Sequence, residues 1–111
     1  MFKKTERLGR ADFSQYFKVG RRFQSPTLTL VYTPRVSLKT AVVVGKKVSK
    51  HAVVRNRTRR RLYSTLRRFS DTEHLTAGVF IIIAKPVAGT LSRAALATEC
   101  MSLLAQVPKA R

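Results

Sequence analysis

The sequence predicts an α+β fold, one mixed sheet with helices packed against it. Three observations carry this. The apolar residues change period along the chain, from helical to alternating and back. Apolar runs at Ala41–Val44 and Val79–Ala84 have the length of buried strands and are far too short to span a bilayer. The resulting order is helix, strands, helix, strand, helix, which suits a layer of helices on a sheet. At 111 residues the chain, 1–111, is read as one domain.

The elements follow in order. Phe13, Tyr16 and Phe17 fall at i, i+3 and i+4, so Arg10–Val19 is a helix, and Gly20 is its stop. Arg21–Gln24 is a candidate short strand. Thr27–Thr33 alternates between Pro26 and Pro34 and is a strand. Pro34–Lys39 is read as a turn. Thr40–Lys46 is the next strand, and its continuous apolar run predicts a central place in the sheet. A long helix covers about Ala52–Phe69, with Thr58, Leu62, Leu66 and Phe69 inward. Asn56, Arg57, Arg60, Ser64, Arg67 and Arg68 point outward at ~100° per residue. Asp71–Ala77 is a loop and Gly78–Lys85 a strand. Ser92 starts a last helix with Leu96, Cys100, Leu103, Leu104 and Val107 on one face, and Pro108 ends it. The passage from Thr40 to Lys85 has the makings of a parallel crossover of unspecified hand.

Charge narrows the function. Twenty-three Lys and Arg against five Asp and Glu give a formal charge of +18. Between Phe13 and Ser70 there are fifteen Lys and Arg and no carboxylate. Cations packed this closely repel one another unless a polyanion or its counterions lie against them. No apolar signal-peptide core follows Phe2-Lys3-Lys4, so a cytoplasmic protein that stays off the membrane is expected. The single cysteine, Cys100, excludes an internal disulfide and reads as a small buried apolar residue.

The run from Lys46 to Arg61 is the strongest signal. A helix carrying charges of both signs is an ordinary solvated face, supported by i, i+4 pairs. This one holds no acid through Phe69, and arginine dominates, whose planar fork matches phosphate oxygens and stacks on bases. Nucleic-acid binding is the reading it supports. Asn56 either caps the first turn or reads a base edge or 2′-hydroxyl. Phe13 and Phe17, with Tyr32 on a strand that could lie beneath them, are either core or a stacking platform flanked by Lys18, Lys46 and Lys47. Catalytic constellations are missing: Glu6, Asp12, Asp71, Glu73 and Glu99 make no spaced pair, and His51 and His74 stand alone. A small ribosomal protein and a DNA-binding architectural protein remain alternatives on this evidence, and a self-sufficient nuclease fits worst.

Several segments carry a family resemblance over about Glu6 to Leu104. They are Asp12-Phe13, Phe17-Lys18-Val19-Gly20, Val43-Val44-Gly45-Lys46-Lys47-Val48, Arg55-Asn56-Arg57 with Arg59-Arg60, and Ile81-Ile82-Ile83-Ala84-Lys85. In this order they resemble the protein subunit of bacterial ribonuclease P. The resemblance implies a single-domain α+β sandwich with a four-stranded mixed sheet and a left-handed β-α-β crossover. It implies an accessory subunit without catalytic residues, partnered by a catalytic RNA and by precursor tRNA, with no obligate protein partner. The RNA would remove the 5′ leader by magnesium-dependent hydrolysis, holding most of the magnesium itself, and the protein would hold no metal. Arg55, Asn56, Arg57, Arg59 and Arg60 would then face the catalytic RNA, joined by the outward Arg67. Phe13, Phe17, Tyr32, Lys46 and Lys85, flanked by Lys18 and Lys47, would bind the leader. Gly45 stands where a serine is common in the family, and only Lys85 precedes Pro86 where relatives often carry two basic residues.

Overall fold

A computed structural model describes residues 7–35, 37–73 and 77–107. Glu6, His74 and the expected helix stop at Pro108 lie outside the described residues. The elements are α1 (Arg10–Val19), β1 (Arg21–Gln24), β2 (Leu28–Thr33), β3 (Leu38–Val43), α2 (Ala52–Thr72), β4 (Gly78–Ala84) and α3 (Arg93–Leu104). A short 3-10 helix at Pro86–Thr90 links β4 to α3. None of these helices is long and apolar enough to cross a membrane.

The sheet has four strands in the order β1-β2-β4-β3. β1 and β2 are antiparallel, as are β2 and β4, whereas β3 and β4 run parallel through the α2 crossover. The expected mixed sheet is present. The central position expected for β3 is not: β2 and β4 are central, and β3 is an edge. Its burial alternates, with Leu38, Thr40 and Val42 buried and Lys39, Ala41 and Val43 half-buried. The bridge between Arg7 and Thr40 and the bond from Leu8 N–H to Thr40 O (2.8 Å) cover part of that edge. An unpaired edge is a template for aggregation, so this cover is useful. β3 also begins earlier than its apolar run suggested, because Leu38 pairs with Gly78 at the start of β4. It ends at Val43 rather than Lys46.

Alternation along β2 and β4 produces two cores. Leu28, Leu30, Tyr32, Phe80, Ile82 and Ala84 face α2 and α3, where they meet Leu62, Leu66, Leu96, Cys100, Leu103 and Leu104. Val31, Val79 and Ile81 face α1 and pack with Leu8, Phe13, Tyr16 and Phe17. The sheet is thus sandwiched, and each fully buried Leu or Ile contributes roughly 1.5–3 kcal/mol. Two buried hydroxyls of α2 are satisfied within the helix: Thr58 Oγ1 donates to Val54 O (2.9 Å) and Thr65 Oγ1 to Arg61 O (3.0 Å). Thr27 Oγ1 donates to the Glu99 carboxylate (2.7 Å), tying α3 to the start of β2. α3 is capped as its sequence requires, the Ser92 hydroxyl accepting from Ala95 N–H (3.1 Å).

Gly20 has a packing reason. A Cβ there would lie 2.3 Å from Val31 Cγ1, so only glycine lets the end of α1 approach β2 and turn directly into β1.

Candidate nucleic-acid interface

Helix α2 carries a cationic outer face because one stripe of its apolar and hydroxyl residues turns inward. Thr58, Leu62, Thr65, Leu66 and Ser70 are buried. Asn56, Arg57, Arg60, Ser64 and Arg68 are exposed, and Arg67 is half-buried, as the periodicity requires. Arg57, Arg60 and Arg68 make no hydrogen bond or ion pair among the described residues. Arg67 Nε lies 3.4 Å from the Asp71 carboxylate, an exposed i, i+4 pair. This pair sits where α2 continues past Phe69, through Asp71 to Thr72, into what the sequence suggested was loop.

Arg55 and Arg59 lie on the flanks of this face and are half-buried. Arg55 Nη1 donates to Ser49 O (3.0 Å), pinning the start of α2 to the preceding turn. Arg59 Nη1 donates to Asn56 Oδ1 (2.7 Å), so Asn56 orients a guanidinium and keeps its amide N–H groups outward. Arg61 Nη1 reaches Leu91 O (3.4 Å) beside the 3-10 helix.

The opposite side of the sheet carries the aromatic surface. On α1 the Phe13 and Phe17 rings stack at 5.6 Å with a 17° interplanar angle, and both are half-buried. The Arg22 guanidinium lies 4.5 Å from the Phe17 ring centroid, and its Nη2 donates to Phe17 O (3.0 Å). Arg35 lies 5.2 Å from the Tyr16 ring. Lys18 is exposed on the same helix. Half-buried Ala41 and Ile83 extend this surface across the sheet. Apolar ring faces beside guanidinium groups can stack unpaired bases and hold their phosphates.

Lys46, Lys47 and Lys85 gather at one end of the sheet, where the parallel strands β3 and β4 both finish. Lys46 and Lys47 are exposed in a turn closed by Val48 N–H to Gly45 O (3.1 Å), beyond the strand in which the sequence placed Lys46. Lys85 Nζ donates to Ser25 O (2.5 Å) and is half-buried. Gly45 is exposed and a Cβ there would meet nothing within 4 Å. Pro86–Thr90 packs on the same turn, since a Cβ on Gly89 would meet Val48 Cγ1 at 2.9 Å. This end therefore leads from the aromatic surface to the start of α2.

Tyr32 departs from the expectation. It does not lie beneath Phe13 and Phe17. It is 7% exposed and packs on Phe80 (5.1 Å between ring centroids) in the core under α2. Its neighbour Val31 is the β2 residue that faces α1. The alternation of sides along a strand puts adjacent residues on opposite faces, and the sequence did not say which face α1 would cover. Conversely, Tyr16, Arg22 and Arg35 were not singled out as site residues. Arg22 follows the Gly20 stop, and a chain that reverses there returns residue i+5 to the helix it has just left.

Among the described residues no group of three or more His, Cys, Asp or Glu comes together to hold a metal ion. Cys100 is buried in the core, and burial pushes its thiol up from 9.0 to about 12, which leaves it a neutral packing group.

A family model described as Ribonuclease P matches residues 2–108. The ribonuclease P protein component of Prochlorococcus marinus (strain MIT 9303) is 46% identical over 70 residues, covering 61% of this chain and 54% of that protein. That of Thermus scotoductus is 37% identical over 90 residues, covering 81% and 52%. These matches span about half the length of the two relatives. The solved structure of a Staphylococcus aureus RNase P protein mutant superposes with a TM-score of 0.83 at 21% identity, covering 92% of this chain and 87% of that one. At that identity the likeness establishes the fold. With nearly its whole length matched by the family model, the chain belongs to the bacterial ribonuclease P protein family.

Proposed function

We propose that this chain, as a single domain, is the RNA-binding subunit of ribonuclease P. In this reading it assists a catalytic RNA in removing the 5′ leader of precursor tRNA. The observation that carries the reading is the pair of cationic surfaces on opposite sides of one sheet. The outward arginines of α2 lie along the catalytic RNA. The Phe13–Phe17 stack, with Lys18, Arg22 and the Lys46, Lys47 and Lys85 end, takes the single-stranded leader. Arg55 serves partly to fix the start of α2, and Asn56 to aim Arg59. Tyr32 supports the fold under α2 and leaves the leader to the α1 side.

The mechanism is differential binding. Leader contacts exist for the precursor and vanish in the product, so they favour precursor over mature tRNA. Neutralising phosphates with fixed guanidinium groups releases counterions and relieves repulsion between two RNA molecules. Among the described residues no three His, Cys, Asp or Glu side chains come together, and no step is assigned to a protein-held magnesium ion. The reading leaves phosphodiester hydrolysis, and the magnesium it needs, to the RNA.

The test is precursor cleavage at limiting magnesium with the RNA alone, the protein alone and the two together. Cleavage restored only by the pair is the expected result. Hydrolysis by the protein alone would overturn the proposal.

A further inference from the structure

The outer face of α2 has a gap in the middle of its arginines, and the gap is Ser64. On a helix the surface neighbours of residue i are i±3 and i±4, with Cβ atoms about 5–6 Å away. For Ser64 these four positions are Arg60, Arg61, Arg67 and Arg68. A small exposed hydroxyl is therefore ringed by four guanidinium-bearing side chains, on a helix whose core needs none of them.

Two further observations single the position out. Thr58, Thr65 and Thr98 each donate their hydroxyl to the carbonyl four residues back, the ordinary arrangement in a helix. Ser64 makes no such bond and has no partner among the described residues, so its hydroxyl is available outward. The surrounding arms also differ in freedom. Arg60 and Arg68 are exposed, Arg61 is steadied by Leu91 O (3.4 Å), and Arg67 is held by Asp71 (3.4 Å). In the Arg67–Asp71 pair the side chains are 36% and 64% exposed, so the pair is weak and readily exchanged for a better anion.

We propose that Ser64, Arg60, Arg61, Arg67 and Arg68 form a seat for one backbone phosphate of an RNA strand lying along α2. Asp71 keeps Arg67 in place until that phosphate replaces it. This rests on the reading that α2 faces RNA, and it deepens that reading by assigning a phosphate to the Arg60–Arg68 part of the face. The occupant is a phosphodiester within a chain, because Arg57, Arg60 and Arg68 continue the row for about 16 Å along the helix. A single free anion has no use for a row of that length, whereas a strand of phosphates does.

The test compares binding of the catalytic RNA across a salt series for wild type, Ser64→Asp, Arg68→Ala, Asp71→Asn and, as the reference for α2 itself, Arg57→Ala. All four substituted positions are exposed, and thermal melts confirm folding. Ser64→Asp should weaken binding by about tenfold or more, since it sets a carboxylate where the phosphate sits. Arg68→Ala should lower the salt slope by roughly 0.7–0.9. Asp71→Asn should strengthen binding by about twofold, the opposite of a merely structural loss. If Arg57→Ala weakens binding while Ser64→Asp and Arg68→Ala match wild type, the seat is wrong and the α2 reading stands. If Arg57→Ala is also silent, the α2 reading has failed with it. Saturable binding of inorganic phosphate, lost in Ser64→Asp with RNA affinity unchanged, would assign the position to a free anion and overturn the proposal.

Discussion

Replacing Phe17 with alanine separates a core role from a leader-binding role. Phe17 is half-buried, stacked on Phe13 at 5.6 Å and covered by the Arg22 guanidinium at 4.5 Å. Truncating a fully buried Phe costs ~3–5 kcal/mol, and half burial scales this to roughly 2 kcal/mol of stability. Losing one base stacked on an aromatic ring costs ~1–3 kcal/mol, or about 5- to 150-fold in affinity. The stability cost falls on every ligand alike, whereas the stacking cost falls only on RNA that carries a leader. Phe17→Leu divides the two, because it restores most of the apolar volume and none of the π-face. The assay is the dissociation constant of the assembled complex for precursor and for mature tRNA, with a thermal midpoint for each variant. Both variants should lose precursor affinity selectively, and Phe17→Leu should melt closer to wild type. Equal losses for both RNAs, or recovery of precursor affinity in Phe17→Leu, would refute the stacking role.

Two further predictions concern the scaffold. Leu62 is 0% exposed between α2 and the sheet, so Leu62→Ala should cost ~2–5 kcal/mol in urea unfolding, and a cost under ~1 kcal/mol would contradict the packing. The Cys100 thiol is pushed up to about 12 by burial, so in the folded state it stays protonated when the unfolded chain ionises near 9.0. Its contribution to stability is therefore complete below 9.0 and declines between 9.0 and about 12. Wild type should lose stability relative to Cys100→Ala over that window, and native Cys100 should resist alkylation at neutral pH; rapid labelling of the folded chain would contradict this.

Most of the architecture was legible because local signals agreed with the fold. The Phe13, Tyr16, Phe17 spacing with Gly20 and the apolar run of β4 each named their element within a residue or two, and the Ser92 cap named the start of α3, which ends at Leu104, short of the Val107 expected on its face. The reading failed where non-local pairing decides. β3 looked central because Ala41–Val44 is all apolar, yet its neighbours are β4 on one side and the Arg7–Leu8 segment on the other. Tyr32 was misplaced because β2 is covered on both faces, so its pattern does not reveal which helix lies above which residue. The outer face of α2 was legible in full, since a helix with no acid before Asp71 and a clear inner stripe leaves only one side for its arginines. The finer division of that face was not. That Arg55 and Arg61 bind backbone carbonyls, and that Arg67 meets Asp71, depends on turns and neighbours that side-chain periodicity does not encode.

The central claim is that two RNA-binding surfaces lie on opposite sides of the sheet. Its most direct test is site-specific crosslinking from Arg57→Cys on α2 and Lys18→Cys on α1, each carrying a photoreactive group; the buried Cys100 leaves the new thiol as the reactive one. In the assembled complex with precursor tRNA, position 57 should crosslink to the catalytic RNA and position 18 to the leader. Crosslinking of both positions to the same RNA segment, or of position 57 to the leader, would contradict the account.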